Sequence, residues 1–147
     1  MAVLHQNTMK QHSRSFYLAG LMLPRGTRTD VARLYAYCRA MDDAVDEHSR
    51  PEDITQEKEA LAKGQSQIAG LIRKHQIPSE IVEAFLTALS ADTPPTKMEN
   101  KKQLLAFCYG VAGTVGVMMC HVLGVKNRQA LYHAIDLGIA MQLTNIA

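Results

Sequence analysis

Tryptophan is absent from this 147-residue chain, and aromatics make up only 5% of it. That composition suits a β-sandwich poorly; a core of Leu, Ala, Val, Ile and eight Met suits packed helices. An excess of charge of one sign is missing too, with 16 bases against 14 acids and a net charge of +2. A nucleic-acid binder working through a strong cationic field is excluded, and no nucleic-acid partner is expected. Cysteine is scarce and odd in number. Cys38, Cys108 and Cys120 show no C-x-x-C spacing and sit in apolar helical stretches. They read as buried thiols, against a disulfide scaffold or zinc site and for a reducing, cytoplasmic setting. The opening MAVLHQNTMKQHSR lacks the apolar stretch of a signal peptide.

What is present is helical periodicity, with no Asn-Gly hairpin signal and no alternating strand pattern. The pattern predicts six helices: Val3–Met22, stopped by Pro24; Thr27–Glu47, with Thr27 or Thr29 as N-cap; a charge-laced Asp53–His75; Pro78–Ser90; Asn100–Leu123, closed by Gly124; and Asn127 to Ala147. Asp92-Thr-Pro-Pro is read as a break. From Gln103 to Val125 there is no charged residue, a length that could cross a bilayer. Its polar residues and glycines, with bases at both ends, favour instead a buried helix at the centre of a bundle.

The strongest chemical signal is Asp42-Asp43-Ala-Val-Asp46-Glu47. Residues four apart on a helix point only about 40° apart, so Asp42 pairs with Asp46 and Asp43 with Glu47. These acids lie in the last turns of their helix, where the macrodipole disfavours each by up to about 1 kcal/mol. Arg39 neutralises part of that charge. A divalent cation would cancel the rest, and carboxylates from one helix with waters and substrate phosphates are typical of magnesium. The spacing lacks the glycine and later ligands of a calcium loop. Tyr35, Arg39, Asp42 and Asp46 share one stripe, which reads as a place for phosphate and metal together. Gly110, Gly113 and Gly116 need a reason, since glycine inside a helix costs about 1 kcal/mol against alanine. Close helix packing and room for a long apolar ligand both serve. Gln142 and Asn145 share a face of the last helix and are either satisfied core amides or ligands. His12, between Gln11 and Ser13, is weak evidence alone.

Together these segments resemble the squalene/phytoene synthase family. The matches are His12-Ser-Arg-Ser-Phe16, Leu23-Pro24, Leu34-Tyr-Ala-Tyr-Cys-Arg39 with Asp42-Asp43-Ala-Val-Asp46, Cys108-Tyr-Gly-Val-Ala-Gly-Thr-Val-Gly116, and Gln142-Leu-Thr-Asn145-Ile-Ala. The likeness is closer to bacterial phytoene-type synthases than to eukaryotic squalene synthases. It implies an all-α isoprenoid-synthase helical bundle, two prenyl diphosphate substrates and Mg2+ as cofactor. By position it implies Asp42, Asp43, Asp46 and Asn145 as metal ligands, and Asp42, Asp46 and Arg39 as catalytic. His12, Ser13, Ser15, Phe16, Tyr35, Arg39, Gln142 and Asn145 would bind substrate. The implied reaction is metal-assisted loss of diphosphate, then capture of the allylic cation by a second double bond to give a cyclopropyl intermediate that rearranges.

Two departures stand out. Phe107 occupies a position where the family usually has Tyr, and Tyr109, two residues on, points to nearly the opposite side of an α-helix. The chain also stops before the Arg-Asp segment that completes the family's second aspartate motif. Residues 1–147 are therefore expected to be the N-terminal part of a single prenyl synthase domain, truncated to its first six or so helices. Expected alone, they are inactive, bind magnesium weakly and self-associate, or pair with the missing C-terminal half. Peripheral membrane association is a further expectation. The competing readings are a non-catalytic relic or partner subunit of helical-bundle type, and a small membrane protein using Gln103–Val125.

Overall fold

The computed structural model describes residues 10, 11, 13–46, 51–91 and 97–147, the side chains of Asp46 and Pro51 excepted. The start of the expected first helix, His12, Glu47 and the break at Asp92-Thr-Pro-Pro lie outside the described residues. Among the described residues all regular structure is helical. We number the helices α1 (Arg14–Leu21), α2 (Arg25–Asp46), α3 (Pro51–Ala62), α4 (Ala69–His75), α5 (Ser79–Ser90), α6 (Lys101–Val122) and α7 (Arg128–Ile146).

Local signals explain most boundaries. Ser13 is extended (φ −152°, ψ 96°) and its hydroxyl accepts from Phe16 N at 3.4 Å, so α1 begins afresh there rather than running through from Val3. The α2 start differs from the expected threonine cap. Pro24 O accepts from Arg28 N at 2.9 Å, which makes Pro24 the cap. Thr29 Oγ1 instead donates to Arg25 O inside the helix. The expected Asp53–His75 helix is two helices. Gly64 takes φ +69°, Gly64 N donates to Leu61 O and Gln65 N to Ala60 O, a Schellman ending that only a residue tolerating positive φ allows cheaply. Gly124 ends α6 in the same way, as expected. Asn100 and Asn127 cap α6 and α7 through their side-chain oxygens, at 3.0 Å to Gln103 N and 2.9 Å to Gln129 N.

The core gathers Leu34, Tyr37 and Met41 of α2, Ile54 of α3, Leu71 of α4, Val82, Phe85, Leu86 and Leu89 of α5, and Met118 and Val122 of α6. Two acids are buried among the described residues, Asp30 and Glu57. Glu57 of α3 accepts from Tyr37 Oη at 3.1 Å, Ser66 Oγ at 2.5 Å and Gln67 N at 3.2 Å, tying α2, α3 and the α3–α4 turn together. Burial, then the charge of Glu57, push the Tyr37 phenol far up, so it stays a donor.

α6 is central, packing against α2, α4, α5 and α7. By length and composition it could cross a membrane; here it is the middle of a bundle, as its polar residues, glycines and flanking bases suggested. Its glycines answer the question left open above. A Cβ on Gly110 would lie 2.4 Å from Ala88 Cβ, and one on Gly116 would lie 2.5 Å from Ala134 O. Across the same crossing, a Cβ on Gly138 of α7 would lie 2.5 Å from Ala112 O. Neighbouring helices fill the space that an apolar ligand would need at these positions. The glycines let α5 and α7 approach the α6 backbone. Between Tyr109 and Gly113 the helix is a π turn, closed by Thr114 N to Tyr109 O, with Thr114 Oγ1 donating to Gly110 O at 2.7 Å.

Candidate diphosphate and metal site

α2 carries the stripe that the spacing suggested. Its upper end is joined to α1 by the Phe16 and Tyr35 rings, 6.2 Å apart and tilted at 48°. That contact places the first turn of α1, with Ser13 and Ser15 (Oγ to Oγ 3.4 Å), beside the helix bearing Tyr35 and Arg39. Ser13 also caps α1, so its hydroxyl holds the turn in place.

Arg39 makes its closest approach to Asp43, not Asp42: Nη2 is 2.7 Å from Asp43 Oδ1, while Nη1 is 3.7 Å from Asp42 Oδ2. Asp43 is the more sheltered carboxylate, 24% exposed against 44% for Asp42. The close pair is not aligned as a hydrogen bond. Asp43 Oδ1 and Arg39 Nε are both buried without a hydrogen-bond partner among the described residues. An unsatisfied buried donor costs about 1–3 kcal/mol, so Arg39 Nε is a donor in want of an acceptor. Burial acts to lower the Arg39 pKa, but Asp43 first and Asp42 next outweigh it, and the group stays charged. Burial raises the Tyr35 phenol against the pull of Arg39, so Tyr35 is a hydrogen-bond donor at neutral pH.

Among the described residues no three His, Cys, Asp or Glu side chains group around a common point, the side chain of Asp46 lying outside them. Gln142 is half-buried and Asn145 exposed on α7. Both α7 and α2 pack on α6, so the two amides share a neighbour with the acids, and no hydrogen bond joins them among the described residues. His12 lies outside the described residues. Phe107 is half-buried and Tyr109 exposed, and both border an open groove of about 920 Å³ between α5 and α6. The sequence reading missed a stripe of Val111, Val115 and Met119 on α6, which packs half-buried onto the same core as Tyr35 and Cys38. Its four-residue spacing was the available signal.

Comparison with known proteins bears on the family and the fold. The family model for squalene/phytoene synthase matches residues 9–147. Phytoene synthase of Rhodobacter capsulatus is 34% identical over 92% of this chain and 44% of its own length. Phytoene synthase of Thermus thermophilus is 36% identical over 94% of this chain and 51% of its own. The chain thus spans about half the length of the curated relatives it matches. The crystal structure of a dehydrosqualene synthase in complex with ligand superposes with a TM-score of 0.81 at 27% identity, covering 99% of this chain and 55% of that one. The all-α bundle is therefore the isoprenoid-synthase fold, and the chain belongs to the squalene/phytoene synthase family.

Proposed function

We propose that this chain supplies the diphosphate-binding and first metal-binding surface of a prenyltransferase that joins two prenyl diphosphates head to head. The observation that carries the reading is Arg39, a charged guanidinium whose buried Nε has no hydrogen-bond partner among the described residues, set between a phenol and a row of carboxylates. A diphosphate oxygen is the acceptor that such a group fits. Ser13 and Ser15 hydroxyls and the Tyr35 phenol add neutral donors from α1 and α2. Asp43 holds the Arg39 fork in place.

The donor set suits magnesium: Asp42, the more exposed carboxylate beside Asp43, Asp46, four residues on in the sequence, and Asn145 of α7 are oxygen donors of the hard type that ion takes. Bound there, Mg2+ would neutralise the charge that builds on a departing diphosphate. The chain's own part is to bind that group with Arg39, Tyr35 and the serines, and to keep water from the allylic carbon with Phe16, Val111, Val115 and Met119.

Calorimetric titration with a non-hydrolysable prenyl diphosphate analogue, with and without magnesium, tests this. Binding should be magnesium-linked, weaker on the order of tenfold or more in Arg39→Gln, and without its magnesium linkage in Asp42→Asn. Equal binding by all three chains, or binding indifferent to magnesium, would overturn the reading.

A further inference from the structure

α1 is thinly packed for a helix that carries groups of the site. Gly20 is its one buried residue, Tyr17 packs half-buried on the core, and Phe16 meets Tyr35 while remaining 45% exposed. α5, by contrast, buries Val82, Phe85, Leu86 and Leu89. A further hold on α1 comes from Arg28 of α2. Its Nε donates to Gly20 O at 3.0 Å, and its Nη2 donates to Leu21 O at 2.6 Å and to Leu23 O at 3.0 Å.

The chemistry of that clamp suits arginine. The last carbonyls of an α-helix lack internal donors and carry the negative end of its dipole. A guanidinium is always charged and holds its N–H groups in a fixed fork, so one side chain serves three main-chain oxygens. The clamp also works from a fixed base. Arg28 N donates to Pro24 O at 2.9 Å in the first turn of α2, and Leu23 packs on the core.

Arg28 stands on the same stripe of α2 as the site. Tyr35, Arg39 and Asp42 follow it at i+7, i+11 and i+14, in directions within about 40° of its own. α1 therefore meets this stripe at two points, Gly20 at Arg28 and Phe16 at Tyr35, and the two positions on α2 are about 10 Å apart along its axis. Two points fix a helix against tilt and roll. With the ring contact alone, tilt about Phe16 would carry Ser13, three residues away, and roll would carry Ser15, which projects about 100° round from Phe16. A displacement of about 1 Å is enough to lose a hydrogen bond to a bound group.

We infer that Arg28 is a positioning residue for diphosphate binding: by clamping the carbonyl end of α1 to α2, it sets the Ser13 and Ser15 hydroxyls in register with Tyr35 and Arg39. Arg28 acts through α1 and not on the diphosphate itself. The inference rests on the diphosphate reading of the site.

Hydrogen exchange and a double-mutant cycle on the 147-residue chain test it. In Arg28→Gln the amides of residues 14–23 should exchange about tenfold faster, while those of α5 and α6 keep the parent's rates, because no core side chain has changed. Affinity for the non-hydrolysable prenyl diphosphate analogue with magnesium should fall by about tenfold, and Arg28→Lys should recover part of both losses. Ser15→Ala should weaken binding by about fivefold in the parent and by less than about twofold in Arg28→Gln, since a hydroxyl already out of place has little to lose. Arg39→Gln, on α2, should cost the same factor in both backgrounds. Unchanged exchange in α1, or affinity retained in Arg28→Gln while Arg39→Gln weakens it, would overturn the inference. So would an equal Ser15→Ala factor in both backgrounds, or faster exchange throughout α5 and α6, either of which would make Arg28 a residue of general stability. Arg39→Gln binding as tightly as the parent would instead overturn the diphosphate reading, and this inference with it.

Discussion

Gly110 faces Ala88 so closely that swapping their side chains tests the α5–α6 contact. A methyl on Gly110 would sit 2.4 Å from Ala88 Cβ and 3.7 Å from Ala88 Cα. Carbon atoms touch at about 3.5 Å, so the two helices must part by roughly 1 Å. Ala88 Cβ is fixed to its backbone and cannot swing aside. Overpacking of this kind costs about 1–3 kcal/mol. The gain in helix propensity from Gly→Ala returns at most about 1 kcal/mol. Gly110→Ala should therefore lose up to about 2 kcal/mol. Ala88→Gly alone should lose about 1 kcal/mol from propensity. In the double variant the propensity changes cancel and the clash is gone, so stability should lie within about 0.5 kcal/mol of the parent, far from the sum of the singles. At roughly 3–4 °C per kcal/mol the differences are visible in thermal melts followed by circular dichroism. A double variant as unstable as the sum of its parts would refute the close approach. Gly138→Ala is the companion case. Its methyl would meet Ala112 O at 2.5 Å, a backbone atom for which no single substitution makes room, so the loss should persist.

Asp30 should govern the acid limb of stability. Burial acts to raise its pKa, but hydrogen bonds from Lys74 and His75 outweigh this and set it below the usual carboxylate value. Its contribution is therefore complete above the unfolded Asp pKa near 3.9 and is lost as pH falls through the lower folded value. The gap in urea midpoint between parent and Asp30→Asn should shrink from pH 7 to pH 3, and a constant gap would contradict this. Burial pushes the Cys38 thiol up to about 12 and raises Cys108 and Cys120 as well. Cys38 is half-buried and Cys108 and Cys120 are buried, so labelling of the latter two by a thiol-disulfide reagent at pH 8 should be slow until denaturant is added; three fast thiols in the native protein would contradict that burial. α7 has no buried residue and exposes Tyr132, Leu137, Met141 and Ile146. Sedimentation of the 147 residues over a range of concentrations should show association, and a concentration-independent monomer would contradict it.

Much of this was legible in the chain because its causes are local. Asn100 and Asn127 before apolar runs, Gly124 after one, and the stretch without charge from Gln103 to Val125 each act within a turn or two of themselves, so α6 and α7 could be bounded from the letters alone. The i, i+4, i+7 spacing of Tyr35, Arg39 and Asp42 is a property of helix geometry and needs no neighbour. Gly64 carried the same kind of signal as Gly124, and reading it as an interior residue joined α3 to α4 wrongly. What the chain alone left undecided depends on partners far along it. Whether three glycines make room for a ligand or for a helix turns on Ala88 and Ala134, which only packing brings to α6. The pairing of Asp30 with Lys74 and His75 spans more than forty residues. The choice of Arg39 between Asp42 and Asp43 is a matter of about an ångström, set by how far each carboxylate is sheltered once α2 is packed. Periodicity determines which residues share a face; the tertiary structure determines what that face meets, because burial and close approach are sums over neighbours that the local sequence does not contain.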